Sequence, residues 1–420
     1  MVCFGYCHHR LQQRHTMKSY LQTAIEKHYA GEVHAAISHA QKAAMPGSAT
    51  EVEGGAVLCE IFLRNHLYPE LRAFLEDCKK FKNDPRWTLM YARLAMKDGR
   101  AYAVAEQYLE ELLQKNIPDY LFRMAGFDLV KLYDKCQRYE EAWQLAEKIH
   151  SRNKHIYPLS QLREALQQVA TIPEDVVRQI RRSTRVTGNT CFIHGLPRSG
   201  TTLLEQMLDC HPSIRALGET NITGHLGNDI AKQGQGWPVA VLQVSPEFLS
   251  KCSEKYYRQT RNNTIDDSIW TIDKTVFPTL QPLVVSVLFP QAKIIRIRRD
   301  PRDNAVSLFL NNFDPSWSFT ASIPSIFEFM KCDHFYSGII YQRLGMSLHE
   351  VSLEELIREP EVTMAGILDF LGLPFDAACI NPHQNTRTVH TLSYDQVNTR
   401  INSESTGRWK NYVAFLPESY

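Results

Sequence analysis

The sequence predicts an α/β protein in which a parallel sheet flanked by helices follows an all-α half. Apolar residues recur at helical spacing through residues 17–150, with only short turns such as Met45-Pro46-Gly47 between them. The pattern changes at Asn189, where a short apolar run of strand type leads into a glycine-rich loop and an amphipathic helix. We therefore expect a helical domain over residues 1–182 and an α/β domain over residues 183–420.

The helical half carries an approximate internal repeat. Aligning four of its segments places Ala36, Leu71, Ala105 and Ala142 in register, at spacings of 35, 34 and 37 residues. A small residue repeated at this interval resembles a tetratricopeptide-like helical repeat domain, although an unrelated helical bundle is the alternative. Stacked repeats leave a concave face, so we expect a protein partner or a homodimer to use it.

The segment Thr190 to Leu208 has the features of an anion site. A strand, a glycine-rich loop and a helix N-terminus follow one another, which brings free backbone N–H groups and the positive end of the helix dipole together. The spacing Gly195-x4-Gly200-Thr201-Thr202 copies the outline of the phosphate-binding loop. The sequence therefore predicts a P-loop-type parallel sheet.

The loop departs from that outline at one position. Nucleoside triphosphate sites have Lys after the second glycine, whereas this chain has Thr201 there and carries its cation earlier, at Arg198. A loop without that lysine is poorly equipped for a metal-bound β,γ-phosphate. It suits a smaller and less charged group such as a phosphosulfate, so we expect no metal.

A second basic cluster lies in the stretch Lys293 to Phe309. A β-branched run ends at Arg298 and Arg299, and a helix follows, with Asp303 predicted as its cap. Arg299 and Ser307 lie on either side of this turn. An arginine fork and a hydroxyl together suit a terminal phosphate.

These two stretches carry a family resemblance. GLPRSGTT and RRDPRDNAVS resemble the two signatures of sulfotransferases that use 3′-phosphoadenosine 5′-phosphosulfate (PAPS). The pattern is most similar to tetratricopeptide-repeat sulfotransferases and also resembles the tyrosylprotein sulfotransferases, over Asn189 to Tyr412. The resemblance implies that Arg198, Ser199, Gly200, Thr201 and Thr202 hold the 5′-phosphosulfate. It also implies that Arg299 and Ser307 hold the 3′-phosphate.

Two further residues match the resemblance. Glu219 follows Gly218, as the catalytic base does in tyrosylprotein sulfotransferases, and a carboxylate there can accept the proton of an attacking hydroxyl. Lys274 matches the family lysine that stabilises charge on the leaving phosphate, as Arg198 would on the transferring group. The alternatives are an ordinary surface carboxylate for Glu219 and a salt bridge with Asp273 or another acid for Lys274.

The C-terminal stretch resembles the cofactor loop of the family. Ser393, Gln396 and Val397 match a Ser-x-x-Gln-Val pattern, and Gly407-Arg408-Trp409 matches its ending. The resemblance implies that Ser393 and Arg408 close over the nucleotide. The sequence departs from the family at Thr399-Arg400, where proline is usual.

Composition excludes several other classes. Lys and Arg number 47 and Asp and Glu number 46, so the net charge of +1 gives no support to a nucleic-acid partner. Apolar runs such as Pro282 to Pro290 are shorter than the roughly 20 residues of a membrane span. No apolar signal core follows Met1, and ten cysteines without a CxxC pair indicate a reducing environment. We expect a cytoplasmic protein.

The leading hypothesis is transfer of a sulfuryl group from PAPS to a hydroxyl acceptor, with adenosine 3′,5′-bisphosphate as the other product. The acceptor stays open between a peptide tyrosine, a glycan and a small molecule. A nucleotide-dependent kinase on a similar loop is one alternative, which Thr201 disfavours. The other is a repeat scaffold with an inactive transferase domain, which the set Arg198, Glu219, Lys274, Arg299 and Ser307 disfavours.

Overall fold

The computed structural model describes residues 20–418 apart from 49, 79–83, 184–187, 235, 237, 261–268, 275–280 and 386–400. The chain divides into two compact units. The continuous part of the first unit ends at His155, and this unit also contains Phe309–Ser322. The second unit holds Ile156–Leu308 and the described residues from Ile323 onward. The domain boundary between residues 182 and 183 stays a prediction.

The first unit is built of consecutive helices separated by short connections. They are α1 Tyr20–Tyr29, α2 Val33–Ala43, α3 Glu51–Arg64, α4 Tyr68–Asp77, α5 Pro85–Lys97, α6 Tyr102–Gln114, α7 Asp119–Lys135 and α8 Tyr139–His150. Each helix packs against the next along the chain. The connections are short enough to bring successive helices together as neighbours.

The sequence repeat coincides with every second helix of this unit. Ala36, Leu71, Ala105 and Ala142 each occupy the fourth position of α2, α4, α6 and α8, and all four are fully buried. One helical turn later, Ala40, Leu75, Leu109 and Ala146 are also fully buried. Residues four apart share one helix face, so the repeated positions mark the inward face of alternate helices. The tetratricopeptide assignment itself stays a prediction.

A segment distant in sequence completes the first unit. The ring of Phe309 lies 4.4 Å from that of Trp143, centroid to centroid, and its carbonyl oxygen is 2.8 Å from Nε2 of the buried His150. The Arg123 guanidinium donates to the carbonyl of Phe313 at 3.2 Å. Ser316, Trp317 and Phe319 therefore lie in a segment that is packed and hydrogen-bonded within this unit.

The second unit contains a five-stranded parallel sheet. Its strands are β1 Thr190–His194, β2 Ile214–Ala216, β3 Trp270–Asp273, β4 Lys293–Arg298 and β5 Ser347–Ser352, in the order β2-β3-β1-β4-β5. The central strand β1 pairs with both β3 and β4, with Phe192 opposite Asp273 on one side and Ile294 on the other. The predicted parallel sheet is confirmed.

Helices surround this sheet. They are α9 Leu159–Thr171, α10 Glu174–Ser183, α11 Thr201–Asp209, α12 Ile222–Gln233, α13 Pro246–Thr260, α14 Gln281–Leu288, α15 Pro301–Phe309, α16 Ile323–Arg343, α17 Leu353–Arg358 and α18 Pro360–Leu371. Ile193, Leu204, Ile295 and Leu368 are among the fully buried side chains of the core between sheet and helices. Both faces of a parallel sheet are covered in this way.

Short 3₁₀ turns complete the second unit, at Val239–Leu242, Ala377–Ile380, Pro382–Gln384 and Arg408–Phe415. A further turn, Ser318–Ala321, belongs to the first unit. In the part of the chain that the structure describes, no helix combines the length and the apolarity that a membrane crossing needs.

The repeated buried alanines predict a sharp contrast between neighbouring positions of α6. Ala105→Leu adds volume to a fully buried site, whereas Ala103→Leu adds it to an exposed one two residues away. We expect the first change to lower the free energy of unfolding by about 1–3 kcal/mol and the second to leave it nearly unchanged. Urea titration followed by circular dichroism measures both. Equal effects would contradict the inward position of the repeat residues.

Candidate active site

The residues singled out in the sequence follow the carboxyl ends of four neighbouring strands. Arg198 lies four residues after β1, Glu219 three residues after β2, Lys274 directly after β3 and Arg299 directly after β4. The carboxyl ends of parallel strands share one edge, where open α/β sheets bind their ligands. The sheet thus brings together residues that are up to 101 positions apart in sequence.

Two glycines shape the loop between β1 and α11. A Cβ on Gly195 would lie 2.6 Å from the Ser199 hydroxyl oxygen and 2.9 Å from the carbonyl oxygen of Ile297. Gly200 has a φ of +97°, and a Cβ there would lie 2.5 Å from a methyl carbon of Leu353. A larger residue at Gly195 would push the loop away from β4. A larger residue at Gly200 would strain the backbone and collide with Leu353.

The loop ends in a buried ring of hydroxyl groups. Ser199, Thr201 and Thr202 are each no more than 5% exposed. Among the residues that the structure describes, the Ser199 hydroxyl has no hydrogen-bond partner. A buried hydroxyl without a partner costs about 1–3 kcal/mol, which a bound acceptor would recover. Together with the N-terminus of α11, these groups suit an anion.

Three arginines meet beside the loop. The Arg198 Nε donates to the Ser307 hydroxyl oxygen at 3.0 Å, and an Arg299 Nη donates to the Arg198 carbonyl at 2.9 Å. Burial, followed by the charges of Arg299 and Arg408, lowers the pKa of Arg198 to about 9. Burial also lowers the pKa of Arg299, and Arg408 lowers it further. A bound polyanion would relieve this crowding of positive charge.

Asp300 caps α15, so the prediction that Asp303 does so is wrong. The Oδ1 atom of Asp300 accepts the N–H of Arg302 at 2.8 Å and that of Asp303 at 3.4 Å. The reason is Pro301, which favours the first position of a helix and makes the residue before it the cap. Asp303 instead accepts backbone N–H groups from Gly407 and Trp409.

Glu219 and Lys274 form a direct ion pair. The Lys274 Nζ lies 2.6 Å from Oε1 of Glu219, and the exposed fraction of the side chain is 0% for Lys274 and 27% for Glu219. Asp273 is engaged elsewhere, because it accepts from the Tyr256 and Thr220 hydroxyls, both at 3.0 Å. The salt bridge considered for Lys274 therefore exists, and its partner is the other predicted catalytic residue.

The sequence analysis did not identify two residues that hold the backbone of the site loops. Glu205, a buried residue of α11, accepts the N–H of Gly218 at 2.7 Å, and the Gly218 carbonyl accepts the N–H of Lys274 at 3.1 Å. Asn304 donates from its buried amide to the Pro197 carbonyl at 2.8 Å. Glu205 could have been noticed in the sequence because it is a charged residue among the apolar residues of α11.

Two further parts of the chain bear on this site. His194, at the end of β1, lies 3.6 Å from the Asp333 carboxylate and packs edge-on against the Tyr341 ring, in keeping with a structural role. Ser393 lies outside the described residues, as do Gln396, Val397, Thr399 and Arg400. Within the described ranges, no three metal-ligating side chains cluster together.

The structure describes a parallel α/β sheet with a glycine-rich loop and arginines at one edge. Residues 191–377 match the model of the Sulfotransferase family.

Several known proteins are similar to parts of this chain. An uncharacterized protein of Aquifex aeolicus is 26% identical over 338 residues, which is 77% of this chain and 44% of that protein. Protein-tyrosine sulfotransferase A of Caenorhabditis elegans is 26% identical over 243 residues, 54% of this chain and 62% of the relative. The chain thus spans about half the length of these two relatives. The sulfotransferase domain of the Synechococcus PCC 7002 olefin synthase aligns with a TM-score of 0.40 and 23% identity, over 53% of this chain and 88% of that domain.

The ion pair predicts that its two members differ in their effect on stability. Glu219→Ala leaves the ammonium of Lys274 fully buried without its carboxylate, and we expect it to lower the free energy of unfolding by about 3–5 kcal/mol. Lys274→Met leaves a carboxylate that water already reaches, so the loss should be smaller. Urea titration of both variants and of the double variant measures this. The double variant should recover part of the Glu219→Ala loss, and strict additivity would contradict the pairing.

Proposed function

We propose that the protein transfers a sulfuryl group from PAPS to a hydroxyl acceptor. One observation carries the proposal: a P-loop-type anion loop and three arginines share a sheet edge with a glutamate–lysine pair. The first part of this arrangement suits a phosphorylated nucleotide, and the second supplies a base beside a cation.

The residues of the site fit the donor. Gly195 packs closely against Ser199 and Ile297, which keeps the loop beside β4, and the buried Ser199 hydroxyl has no partner among the described residues. Ser199, Gly200, Thr201 and Thr202, with Arg198, would hold the 5′-phosphosulfate. Arg299 and Ser307 would hold the 3′-phosphate, with Ser393 and Arg408 closing over the nucleotide. The donor, when bound, supplies an activated sulfuryl group on a phosphate leaving group.

Glu219 would act as the general base. Its carboxylate takes the proton of the acceptor hydroxyl as that oxygen bonds to sulfur. The bond from sulfur to the phosphate oxygen breaks, and its electron pair stays with adenosine 3′,5′-bisphosphate. Lys274 and Arg198 would stabilise the negative charge gained by the leaving oxygen. The hydrogen bond between Lys274 and Glu219 also fixes the direction of the carboxylate.

The named relatives favour a peptide tyrosine as the acceptor, because several of them are protein-tyrosine sulfotransferases. Their identity to this chain is only 24–26%, so glycans and small hydroxylated molecules stay in the acceptor screen. The helical repeats would bind a protein partner or a second copy of the chain. A metal-dependent kinase is the second candidate, and Thr201 in place of the loop lysine disfavours it.

Ligand binding separates these functions. We expect calorimetry to show binding of adenosine 3′,5′-bisphosphate and none of ATP with magnesium. Arg299→Ala should weaken bisphosphate binding about tenfold or more, because a hydrogen bond to a charged group contributes about 1.5–3 kcal/mol. Arg100→Ala, at a highly exposed arginine of the first unit, serves as the control. A preference for ATP with magnesium would favour the kinase, and binding of neither ligand would favour the inactive scaffold.

Substituting the base should separate catalysis from binding. Glu219→Gln keeps the side-chain volume but cannot take a proton, so we expect sulfuryl transfer to fall by about 10²–10⁴-fold with little change in bisphosphate affinity. Transfer of labelled sulfate from PAPS to a panel of tyrosine peptides, glycans and phenols measures the rate. Glu361→Gln, at an exposed glutamate in the first turn of α18, is the matched control. A parallel loss of binding and transfer would make Glu219 a structural residue.

A further inference from the structure

Asp303 is a buried carboxylate that has no role in the proposed reaction. It is the third residue of α15 and is only 2% exposed. Its Oδ2 atom accepts the N–H of Gly407 at 2.6 Å, and its Oδ1 atom accepts the N–H of Trp409 at 2.8 Å. Both carboxylate oxygens thus bind backbone groups more than a hundred residues further along the chain.

These two hydrogen bonds bracket Arg408. Fixing the N–H groups of the residues before and after Arg408 limits the positions that its Cα can take and the direction in which its side chain leaves the backbone. The turn before it needs glycine, since Gly407 has a φ of +74°. Carboxylate acceptors of backbone N–H groups make the stronger class of hydrogen bond. Asp303 therefore controls where the Arg408 side chain starts.

Two neighbouring residues hold the same segment. The Arg302 guanidinium stacks over the Trp409 ring, with its central carbon 3.6 Å from the ring centroid. Arg299 donates to the Ser405 carbonyl. The C-terminal segment from Ser405 to Trp409 is thus attached to the start of α15 at three points. The carboxylate of Asp303 supplies the central one.

The position of Arg408 matters because of its charge. It lies near enough to Arg198 and Arg299 to lower the pKa of both guanidinium groups. Three like charges repel one another before an anion binds, so a fixed backbone at Arg408 helps to keep its charge beside the others. A negative group that touched the anion would oppose binding, whereas Asp303 uses both oxygens on backbone N–H groups.

We propose that Asp303 is a positioning residue that holds Arg408 in the anion site. The inference rests on the proposed function, because it assigns Arg408 to the bound nucleotide. Asp303 acts through the backbone of the C-terminal segment. Its charge also raises the pKa of Arg299, but the loss of binding caused by releasing the segment should occur only when the Arg408 side chain is present.

A double-mutant cycle tests this dependence. Asp303→Asn keeps the shape but replaces one acceptor oxygen with a donor, so we expect affinity for adenosine 3′,5′-bisphosphate to fall about tenfold. Arg408→Ala should cause a similar fall, and the double variant should bind no more weakly than Arg408→Ala alone. Asp376→Asn is the matched control, since Asp376 also caps a 3₁₀ turn, by accepting the Ala378 N–H at 2.8 Å. Unchanged affinity in Asp303→Asn, or additive losses in the double variant, would overturn the proposal.

A second measurement needs no ligand. Amide hydrogen exchange of residues 405–415 should be faster in Asp303→Asn than in the wild type, and unchanged in Asp376→Asn. If the wild type fails to bind the bisphosphate, the proposed function fails, while faster exchange would still support the attachment of the segment. Unchanged exchange would overturn the positioning role regardless of binding. If Asp303→Asn does not fold, Arg302→Ala takes its place in the cycle, with Asp300→Asn as its control, because Arg302→Ala removes the contact with Trp409 together with the ion pair to Asp300.

Discussion

Parallel pairing of β1 with both β3 and β4 is the constraint on which the site depends. Because the strands are parallel, four of them end at the same edge of the sheet. A short stretch after each strand is then enough to bring a side chain into the site. Arg198, Glu219, Lys274 and Arg299 all arrive in this way. A register shift of one residue in any of these strands would turn its side chains to the opposite face of the sheet. The precision of the site therefore comes from the backbone ladder and only secondarily from the loops.

Acidic side chains fix the backbone of the loops and turns around this basic site. Glu205, Asp300 and Asp303 direct their carboxylates at backbone N–H groups, which fixes loops and turns. They leave the guanidinium groups of Arg198 and Arg299 to donate to hydroxyl and carbonyl oxygens. The local excess of positive charge thus survives in a chain whose net charge is only +1. Asp300 also pairs with the Arg302 guanidinium at 2.8 Å, so a near-neutral total charge gives no information about the charge of the site.

The parts of this arrangement that are local in sequence could be predicted, and those that depend on distant pairing could not. The loop from Gly195 to Gly200 has a spacing that steric exclusion requires, and the repeat register follows from burial at every second helix. The partner of Glu205 lies 13 residues away in a separate turn, and those of Asp303 lie 104 and 106 residues away. No periodicity or motif connects such positions, because only the folded sheet brings them together. Lys274 was ambiguous for the same reason.

The segment Phe309–Ser322 makes the helical unit discontinuous in sequence. It lies between α15 and α16 in sequence, yet it contributes Phe309 and Phe313 to the packing around Trp143, His150 and Arg123. The helical unit is therefore discontinuous, and a gene fragment that stops after His155 lacks part of its interior. A fragment designed to fold as the helical unit would have to include Phe309–Ser322 as well.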